Sequence, residues 1–423
     1  MQPSFVAEEF QKIYRESPDV VCSAPGRLDF LNTHQDYKGL PVVAIGVNLR
    51  TYIALKRVRG TRIYVASGNL MDEGGEYVDE FDVSDLSLIE KPKWFGNYLR
   101  AATIALKQSG YKFGGFIGWI RSWVPIASGL GSSGTLLVAF ISALNELYNL
   151  GLKTKDIAEL AYIAEHDIMN IPCGRLDQYA AAYGHIAVIE TIPPYNVETL
   201  ELLEGVFVAI DSGIRHSTAE IHPQRQREIE NGLKVLMESV PLNLKKLLGY
   251  RYWEPKWSSI TLEMLQPYLM QLSEKARNRI IYTIKAHKST ILALNIMKGY
   301  RVTPADIAQV LELEIKKAQE IYDAGKLNII GHVMTYQHML LSKLYDVSLP
   351  ELDNIVDTLL ENGALGAKLS GAGLGGTVIA LFRNETIAEE AIKKIISKGL
   401  GTRAWVLKVD GGVTKHSIAS STS

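Results

Sequence analysis

A loop of small residues directly before an apolar segment is the first stretch whose chemistry is readable. Residues 125–134 read PIASGLGSSG, and the sixteen letters that follow, TLLVAFISALNELYNL, place apolar residues at helical spacing. The unpaired N–H groups at a helix start, together with the helix dipole, bind anions. We therefore interpret the stretch as a phosphate-binding loop, with candidate residues Pro125, Ser128, Gly129, Leu130, Gly131, Ser132, Ser133 and Gly134.

Two glycine patterns allow other interpretations. Residues 129–134 and 371–376 both match GxGxxG, the pattern of dinucleotide-binding folds. That fold requires a strand, the loop, a helix and then a second strand. The first match precedes two predicted helices and the second precedes a strand, so both contexts are wrong. No GxxxxGK[ST] sequence occurs, which excludes a Walker-type loop. Taken alone, either loop would be best explained as an ordinary turn.

The composition excludes several classes of protein. The chain has 423 residues, 47% of them hydrophobic, which predicts a globular protein with large cores. A net charge of −1 argues against a nucleic-acid or acidic-membrane partner. Two cysteines, Cys22 and Cys173, indicate neither a disulfide framework nor a structural zinc site, although one bond between them stays open. Without a signal-like N-terminus or a long apolar run, we expect a cytoplasmic protein.

Three stretches, taken in order, carry a resemblance to a known family. They are SAPGR with HQDY at 23–37, PIASGLGSSG, and KLSGAGLGG at 368–376. This combination resembles the GHMP kinases, which phosphorylate small molecules such as galactose, homoserine and mevalonate. Within that family the chain is most similar to the galactokinases. APGRLDFLNTHQDY parallels their APGRVNLIGEHTDY and CGRLDQ at 173–178 parallels CGIMDQ, while further similar stretches are WFGNY at 94–98, DSGIRHS at 211–217 and YDVSLPELD at 345–353.

The resemblance implies a catalytic pair and a metal site. Asp177 would be the general base, or would mainly orient the sugar hydroxyl, and Arg27 would contact both Asp177 and the transferring phosphate. Ser133 and Glu165 would face Mg²⁺, which prefers oxygen ligands. Both residues also have structural interpretations, because Asp177 suits a helix start and Glu165 suits a solvated helix face.

The implied nucleotide is ATP, and two aromatic residues are candidates for its adenine pocket. Trp94 and Tyr98 lie in WFGNY, although packing in the core explains both equally well. A third motif, whose candidate residues are Gly371, Ala372, Gly373 and Gly375, would pack beside the phosphate loop and close the site from the second domain.

The expected sugar-binding residues depart from the galactokinase pattern. The set implied by the resemblance is Arg27, Thr33, His34, Asp36, Gly174, Arg175 and Asp177. His34 and Asp36 match, but Thr33 stands where galactokinases have a glutamate for the C6 hydroxyl. Arg175 replaces an apolar residue. The tyrosine expected after DSGIRHS has no clear match, and His222 is the nearest candidate.

These departures leave the sugar open. Arg175 would suit a uronic acid such as galacturonate, and Thr33 alone would suit a pentose such as arabinose. The alternative for Arg175 is a structural ion pair with a neighbouring acid. We expect an ATP-dependent kinase that phosphorylates the anomeric hydroxyl of galactose or a galactose-like sugar, N-acetylgalactosamine included. A non-catalytic sugar- and ATP-binding regulator and a kinase for a non-sugar alcohol are the rival interpretations.

The elements that must position these residues indicate an α+β protein. The resemblance implies a two-lobe GHMP kinase fold, with an N-terminal lobe similar to ribosomal protein S5 domain 2 and a ferredoxin-like C-terminal lobe. We place the domains at 1–200 and 201–423. The expected helices are 5–17, 96–109, 135–148, 154–169, 349–361 and 386–398, with a mostly helical region at 219–345. The expected strands are 20–24, 41–58, 61–67, 76–83, 116–123, 185–190, 205–211, 377–382 and 403–409.

Overall fold

The computed structural model describes residues 2–91, 94–126, 128–201, 204–215 and 221–418. The strands are β1 (Val20–Leu31), β2 (Val42–Arg57), β3 (Arg62–Ser67), β4 (Val78–Asp82), β5 (Phe116–Ser122), β6 (Ile186–Ile189), β7 (Val197–Leu200), β8 (Val206–Asp211), β9 (Gly366–Ser370), β10 (Thr377–Phe382), β11 (Arg403–Leu407) and β12 (Thr414–His416). Both cysteines are free thiols. Within these ranges, no helix is long and apolar enough to cross a membrane.

Helices contribute the larger share of the regular structure. They are α1 (Gln2–Tyr14), α2 (Gly68–Asp72), α3 (Phe95–Gln108), α4 (Ser132–Tyr148), α5 (Thr154–Ile163), α6 (Leu176–Tyr183), α7 (Ile221–Ser239), α8 (Leu242–Lys245), α9 (Leu262–Leu265), α10 (Glu274–Met297), α11 (Pro304–Leu311), α12 (Ile315–Asp323), α13 (Lys326–Lys343), α14 (Pro350–Glu361) and α15 (Glu385–Ser397). A π-helical turn, Ala164–Ile168, follows α5, and short 3₁₀ turns occur at Asp36–Lys38, Trp257–Ser259 and Leu269–Gln271.

The chain forms two compact units. The first contains the residues up to Arg27, Ile45–Ala187 and the residues from Asp410 onward, and the second contains Leu28–Ala44 and Val188–Val409. This division differs from a single boundary at residue 200, because residues 28–44 group with the second unit and the C-terminal residues group with the first. The C-terminal segment is held there by β12, which pairs with β1.

In the first unit the strand order is β12-β1-β2-β5-β3-β4, with β6 beside β2. Helices α3, α4, α5 and α6 pack on one another. Strand β1 continues to Leu31, whereas the sequence predicted its end before Pro25-Gly26. The proline is tolerated because β12 pairs only with residues 21–23 of β1, so Pro25 needs no N–H for that ladder. Beyond it, the Arg27 N–H binds Leu130 O at 2.9 Å.

The second unit contains an antiparallel sheet in the order β11-β8-β10-β9. Helices α14 and α15 cover this sheet through a core that includes Val208, Leu359 and Ala380. Helix α13 packs on β9, and α10 packs on both α7 and α13. The predicted helical region is confirmed from α7 to α13. These contacts make the 24-residue α10 a central support of the unit.

Candidate active site

The predicted phosphate loop leads into α4 three residues earlier than the sequence indicated. Helix α4 begins at Ser132, after Gly131 in a left-handed conformation with φ 73°. Ser132, Ser133 and Gly134 therefore form its first turn, where backbone N–H groups have no partner within the helix. The first i−4 bond comes from the Thr135 N–H to Gly131 O at 3.0 Å. This start has the form of an anion-binding helix terminus.

Arg27 and Asp177 form an ion pair beside this loop. Arg27 Nε donates to Asp177 Oδ1 at 2.8 Å, and Nη2 lies 2.7 Å from the same oxygen. Arg27 Nη1 donates to Gly129 O, which ties the guanidinium to the loop. The side chain of Asp177 is 27% exposed and that of Arg27 only 10%. The contact implied by the resemblance is present, and the carboxylate is the more accessible partner.

Two glycines of the loop are required by this ion pair. A Cβ atom on Gly131 would lie 2.9 Å from Arg27 Cγ. One on Gly134 would lie 2.9 Å from Asp177 Cβ and 3.1 Å from the Asp177 carbonyl carbon. The start of α4 thus packs directly on the start of α6, which carries Asp177. Sequence reasoning explained these glycines by phosphate approach alone and missed their packing role.

Glu165, in the π-helical turn, is the buried carboxylate of this region. Gln178 Nε2 donates to Glu165 Oε2 at 2.6 Å. Burial raises the pKa of Glu165, and the negative charge of Asp177 adds to that effect, while hydrogen bonds from Ser133 and Gln178 oppose it. A cation beside Glu165 would favour the ionised carboxylate.

The oxygen donors of Ser133 and Glu165 fit Mg²⁺, which takes few protein ligands and keeps waters or phosphate oxygens. Within the described ranges, no group of three or more His, Cys, Asp or Glu side chains could hold a metal. We call Arg27, residues 128–134, Glu165, Asp177 and Gln178 the phosphate-loop cluster.

The two aromatic candidates occupy different environments. Burial raises the pKa of Tyr98, and the charges of Glu165 and Cys173 add to that effect. Trp94 directly precedes α3 and is 9% exposed. Its Nε1 is buried without a hydrogen-bond partner. Because buried indole N–H groups usually find an acceptor, core packing alone does not account for Trp94.

Arg175 is engaged by a carboxylate of its own unit. Its Nε and Nη2 donate to the two oxygens of Glu159 at 2.9 and 2.7 Å. The guanidinium also lies 3.9 Å from the ring centroid of Tyr162. Burial opposes ionisation of Glu159, but hydrogen bonds from Arg175 and Tyr179 lower its pKa. These are the contacts of a structural ion pair, and the neighbouring Gly174 is exposed in the loop before α6.

In the second unit, Thr33 belongs to a buried hydrogen-bond network. Its Oγ1 donates to Asp29 Oδ1 at 3.1 Å and accepts from Lys368 Nζ at 3.0 Å. Lys368 Nζ also donates to Asp29 O at 3.2 Å. Burial lowers the pKa of Lys368 to about 8, against the opposing charge of Asp29. The Thr33 hydroxyl is thus used within the protein as donor and acceptor.

His34 and the third motif meet in the same unit. His34 Nε2 lies 2.9 Å from Ala372 O, an arrangement in which Nε2–H donates and Nδ1 is left as a buried acceptor without a partner. Burial, followed by the charge of His222, lowers the pKa of His34 well below its usual value. Gly373 has φ 87°, and a Cβ there would lie 2.2 Å from Val347 O, so the turn excludes other residues. Gly371 and Gly375 also have positive φ, 87° and 143°.

Asp36 completes what we call the HQDY cluster, which consists of Asp29, residues 32–38, His222 and Lys368. Burial raises the pKa of Asp36, and the facing His222 opposes this. The rings of His34 and His222 are 5.0 Å apart. His222, the nearest candidate for the tyrosine expected after DSGIRHS, therefore lies beside His34.

Sequence reasoning missed the helix that holds this cluster. Tyr282 of α10 donates its hydroxyl to Thr33 O at 2.6 Å. The next residue, Thr283, accepts from Gln35 Nε2 through its carbonyl at 3.0 Å. His287 Nδ1 lies 3.5 Å from Asn32 Nδ2. Polar residues recurring every three or four positions inside a buried helix were the available signal.

Buried polar atoms without a hydrogen-bond partner coincide with the predicted site. Among the described residues they are Asn32 Oδ1, His34 Nδ1, Gln35 Oε1, Trp94 Nε1 and Gln178 Oε1. Native proteins satisfy nearly all such atoms, so these exceptions mark places where a ligand or water completes the structure. Of the DSGIRHS stretch, His216 and Ser217 lie outside the described residues. Its Asp211 is bound by Arg215 and Arg403.

Three family models match the chain. They are the GHMP kinases N terminal domain at residues 97–185, the GHMP kinases C terminal domain at 317–400, and the galactokinase galactose-binding signature at 8–57. The chain is a GHMP kinase. This GHMP kinase is of the galactokinase-like type, so the predicted family and its enzymatic character are confirmed.

Relatives and solved structures agree with the assignment. The GHMP kinase is 27% identical over 365 residues to the galactokinase of Thermococcus kodakarensis, covering 85% of this chain and 89% of that one. It is 27% identical over 409 residues to the Pyrococcus furiosus galactokinase, covering 93% and 99%. The structure of Lactococcus lactis galactokinase complexed with galactose matches with TM-score 0.76 at 23% identity, covering 98% and 100%. Methanococcus jannaschii mevalonate kinase matches with TM-score 0.63 at 21% identity, covering 94% and 100%. The predicted fold class is confirmed.

Proposed function

We propose that this protein is an ATP-dependent sugar 1-kinase, which transfers the γ-phosphoryl group to the anomeric hydroxyl of galactose or a galactose-like sugar. The products are a sugar 1-phosphate and ADP. The observation that carries the proposal is the Arg27–Asp177 ion pair, held where α4 and α6 both begin. A phosphate-binding helix start and an accessible carboxylate are the two parts that a hydroxyl kinase needs side by side.

On the nucleotide side, the first-turn N–H groups of α4 would bind the phosphates of ATP. Ser133 and Glu165 would hold Mg²⁺, which when bound neutralises charge on the phosphate oxygens. Gln178 keeps the Glu165 carboxylate oriented through its 2.6 Å hydrogen bond. Arg27 adds a fixed positive charge beside the loop carbonyl of Gly129. The Gln178–Glu165 and Arg27–Gly129 contacts are preformed, so these groups need little reorganisation during transfer.

The chemical step assigns the proton to Asp177. The anomeric O–H would lose its proton to an Asp177 carboxylate oxygen as the O–Pγ bond forms, and the bond from Pγ to the bridging oxygen of ADP breaks. Arg27 holds Asp177 Oδ1 with two N–H groups, which keeps the carboxylate in one orientation. In a loose transition state this carboxylate also orients the hydroxyl before the proton moves.

The sugar would be recognised by the HQDY cluster, in which His34 Nδ1 and Asp36 are the groups available to hydroxyls. The cluster contains two carboxylates, on Asp29 and Asp36, and two ammonium groups, on Lys38 and Lys368. That balance favours a neutral sugar. Arg175 is engaged by Glu159, so this residue offers no ready partner for a uronate carboxylate.

A second candidate substrate is a pentose such as arabinose. The observation that favours it is the Thr33 hydroxyl, which both donates and accepts inside the protein. By the resemblance, this position faces the C6 hydroxyl of the sugar. A residue already satisfied there would gain little from a substrate that carries C6.

A sugar panel tests the proposal. The purified protein is given ATP and Mg²⁺ with galactose, N-acetylgalactosamine, arabinose, galacturonate, mevalonate and homoserine, and ADP release is followed. Phosphorus NMR then locates the new ester at C1. We expect turnover of a neutral aldose, with Asp177→Asn as the inactive control. Turnover of mevalonate or homoserine alone, or binding of ATP and sugar without turnover, would contradict it.

A further inference from the structure

Lys38 is a lysine whose side chain is buried inside the HQDY cluster. It is 1% exposed and follows Asp36 by two residues in the same 3₁₀ turn. Its Nζ donates to Thr283 Oγ1 of α10 at 2.9 Å. Within the described ranges no carboxylate forms an ion pair with it, whereas buried ammonium groups are usually paired. The mechanism derived above does not use this side chain, and the sequence motifs gave it no role.

Three tyrosine rings surround the ammonium group. Nζ lies 4.6 Å from the ring centroid of Tyr345, 5.0 Å from that of Tyr282 and 5.5 Å from that of Tyr37. The Tyr37 and Tyr345 hydroxyls are 2.5 Å apart, which joins two of the three rings. Aromatic faces attract a cation, most strongly when water is excluded. The cage therefore tolerates a charged lysine at a place where hydrogen bonding alone would leave it underpaired.

The cage is anchored to α10, the helix that also holds Thr33 and Gln35. Tyr282 contributes both a ring of the cage and the hydrogen bond to Thr33 O. Thr283 accepts a hydrogen bond from Lys38 through its hydroxyl and one from Gln35 through its carbonyl. Asn32 and His34 adopt left-handed conformations with φ 65° and 62°, a backbone region that is uncommon for residues other than glycine. Lys38 adds a further hydrogen bond between this segment and α10.

Asp36 is the carboxylate nearest in the chain to Lys38, and several charged or titratable groups face these two residues. They are His222 from α7, Asp29 from β1, Arg279 from α10, and the hydroxyls of Tyr37, Tyr252, Tyr282 and Tyr345. Asp29 disfavours ionisation of Asp36, while His222 favours it. Burial lowers the pKa of Lys38 well below its usual value, while the negative charge of Asp36 acts in the opposite direction. The protonated form of Lys38 in turn favours the carboxylate form of Asp36.

We propose that Lys38 is a positioning residue of the HQDY cluster, whose caged ammonium fixes residues 32–38 on α10 and keeps Asp36 an ionised acceptor for sugar hydroxyls. The part that concerns the sugar rests on the proposed function. The part that concerns the charge of Lys38 does not, because it is measurable without any substrate. Asp36 is the residue that would touch the sugar, and Lys38 acts through it.

The first experiment reads the charge of Lys38 through His222. Histidine-labelled protein is titrated by ¹H–¹⁵N NMR, and His222 is assigned among the nine histidines with a His222→Gln sample. Burial lowers the pKa of His222, the charge of Asp36 opposes this, and the positive charge of Lys38 lowers the pKa further. We expect Lys38→Met to raise the His222 midpoint by about 1 pH unit. An unchanged midpoint in a folded variant would show that Lys38 is neutral in its cage and would overturn the proposal.

The second experiment separates charge from tethering. Thr283→Val removes the hydroxyl that binds Lys38 but leaves the ammonium in place, which makes it the matched control. For Lys38→Met we expect the acid limb of kcat/KM for the sugar to move up by about 1 pH unit, because Asp36 becomes easier to protonate. We expect the KM for ATP to stay unchanged. For Thr283→Val we expect the acid limb of kcat/KM for the sugar to stay where it is in the wild type.

The outcomes separate the two proposals. Equal effects of Lys38→Met and Thr283→Val on the KM for the sugar, while the acid limb of kcat/KM does not move, would show that Lys38 has only a structural role. That result would overturn the inference. If the wild type turns over no sugar, the proposed function fails, while the His222 titration still decides whether Lys38 is charged beside Asp36. A shifted His222 midpoint together with a shifted acid limb supports both.

Discussion

The phosphate-loop cluster and the HQDY cluster are built on different principles. In the first, glycines and helix starts place backbone groups, and the key side chains come from short motifs such as residues 125–134 and 173–178. In the second, the loop is held by side chains of α10, α13 and β9, far away in the sequence. A backbone-built site is specified by local sequence, whereas a site built from distant side chains is free to change one contact at a time.

The two clusters also differ in how far their ionisable groups are exposed to solvent. In the phosphate-loop cluster Arg27 and Glu165 are buried, but Arg27 is paired to an Asp177 that is 27% exposed. The HQDY cluster buries its ionisable groups, so that burial lowers the pKa values of His34 and Lys368 and raises that of Asp36. The first arrangement is suited to stabilising a reaction that moves charge. The second is suited to recognising hydroxyl positions with groups of fixed geometry.

The largest expected effect tests the chemistry of the first cluster. Asp177→Asn keeps the shape but loses the proton acceptor, so we expect kcat to fall roughly 10²- to 10⁴-fold. ATP affinity, measured by calorimetry, should change little because the helix start is intact. Asp167→Asn, which alters an exposed carboxylate of the same unit, serves as the control and should keep its activity. Near-normal turnover by Asp177→Asn would remove the role given to this residue.

A pH effect on stability tests the buried charge of the second cluster. Burial lowers the pKa of Lys368 from 10.5 to about 8. Between these values the unfolded chain binds the proton more tightly than the folded one, so the contribution of Lys368 to the free energy of unfolding rises with pH. Below pH 8 both states are protonated and the cost of burial is fully present. The rise amounts to about 3 kcal/mol.

The measurement is urea unfolding from pH 7.5 to 10.5 for the wild type and Lys368→Met. Tyrosines titrate in both proteins, so the difference between the two curves isolates the lysine. Lys317→Met, at an exposed ion pair, is the control and should give a curve parallel to that of the wild type. A wild-type curve parallel to that of Lys368→Met would mean that Lys368 titrates normally.

A smaller effect is expected from disturbing the contact between two helix starts. In Gly134→Ala the new methyl group would lie 2.9 Å from Asp177 Cβ, so α6 must shift. We expect kcat to fall roughly 10- to 100-fold through misplacement of the carboxylate, with a loss of about 1–3 kcal/mol in stability. Gly75→Ala, whose methyl group would have an ordinary contact of 3.6 Å, should match the wild type. Unchanged kcat for Gly134→Ala would show that the contact is dispensable.

These differences explain how far the sequence could be interpreted. The glycine loop before α4 and the order of most strands and helices were predictable, because short motifs and apolar periodicity encode them. The approach of Arg27 to Asp177 was predictable from the resemblance to a known family. The extension of β1 through Pro25 was not, because the proline is allowed only where β12 stops pairing. The contacts of Thr33 were not predictable either, since Lys368 lies more than three hundred residues further along the chain. Tyr282 and Thr283 carried no motif at all.

The smallest expected effect concerns Arg175, which sequence reasoning connected with a substrate carboxylate. Its side chain and that of Glu159 are 20% and 31% exposed, so water screens their attraction. A double-mutant cycle with Arg175→Met and Glu159→Gln should give a coupling of about 0.5–1 kcal/mol in the free energy of unfolding. Any turnover of galacturonate relative to galactose should be the same in Arg175→Met as in the wild type. If Arg175→Met selectively abolished galacturonate turnover, the residue would belong to substrate recognition, and the division between a charge-bearing cluster and a hydroxyl-reading cluster would need to be redrawn.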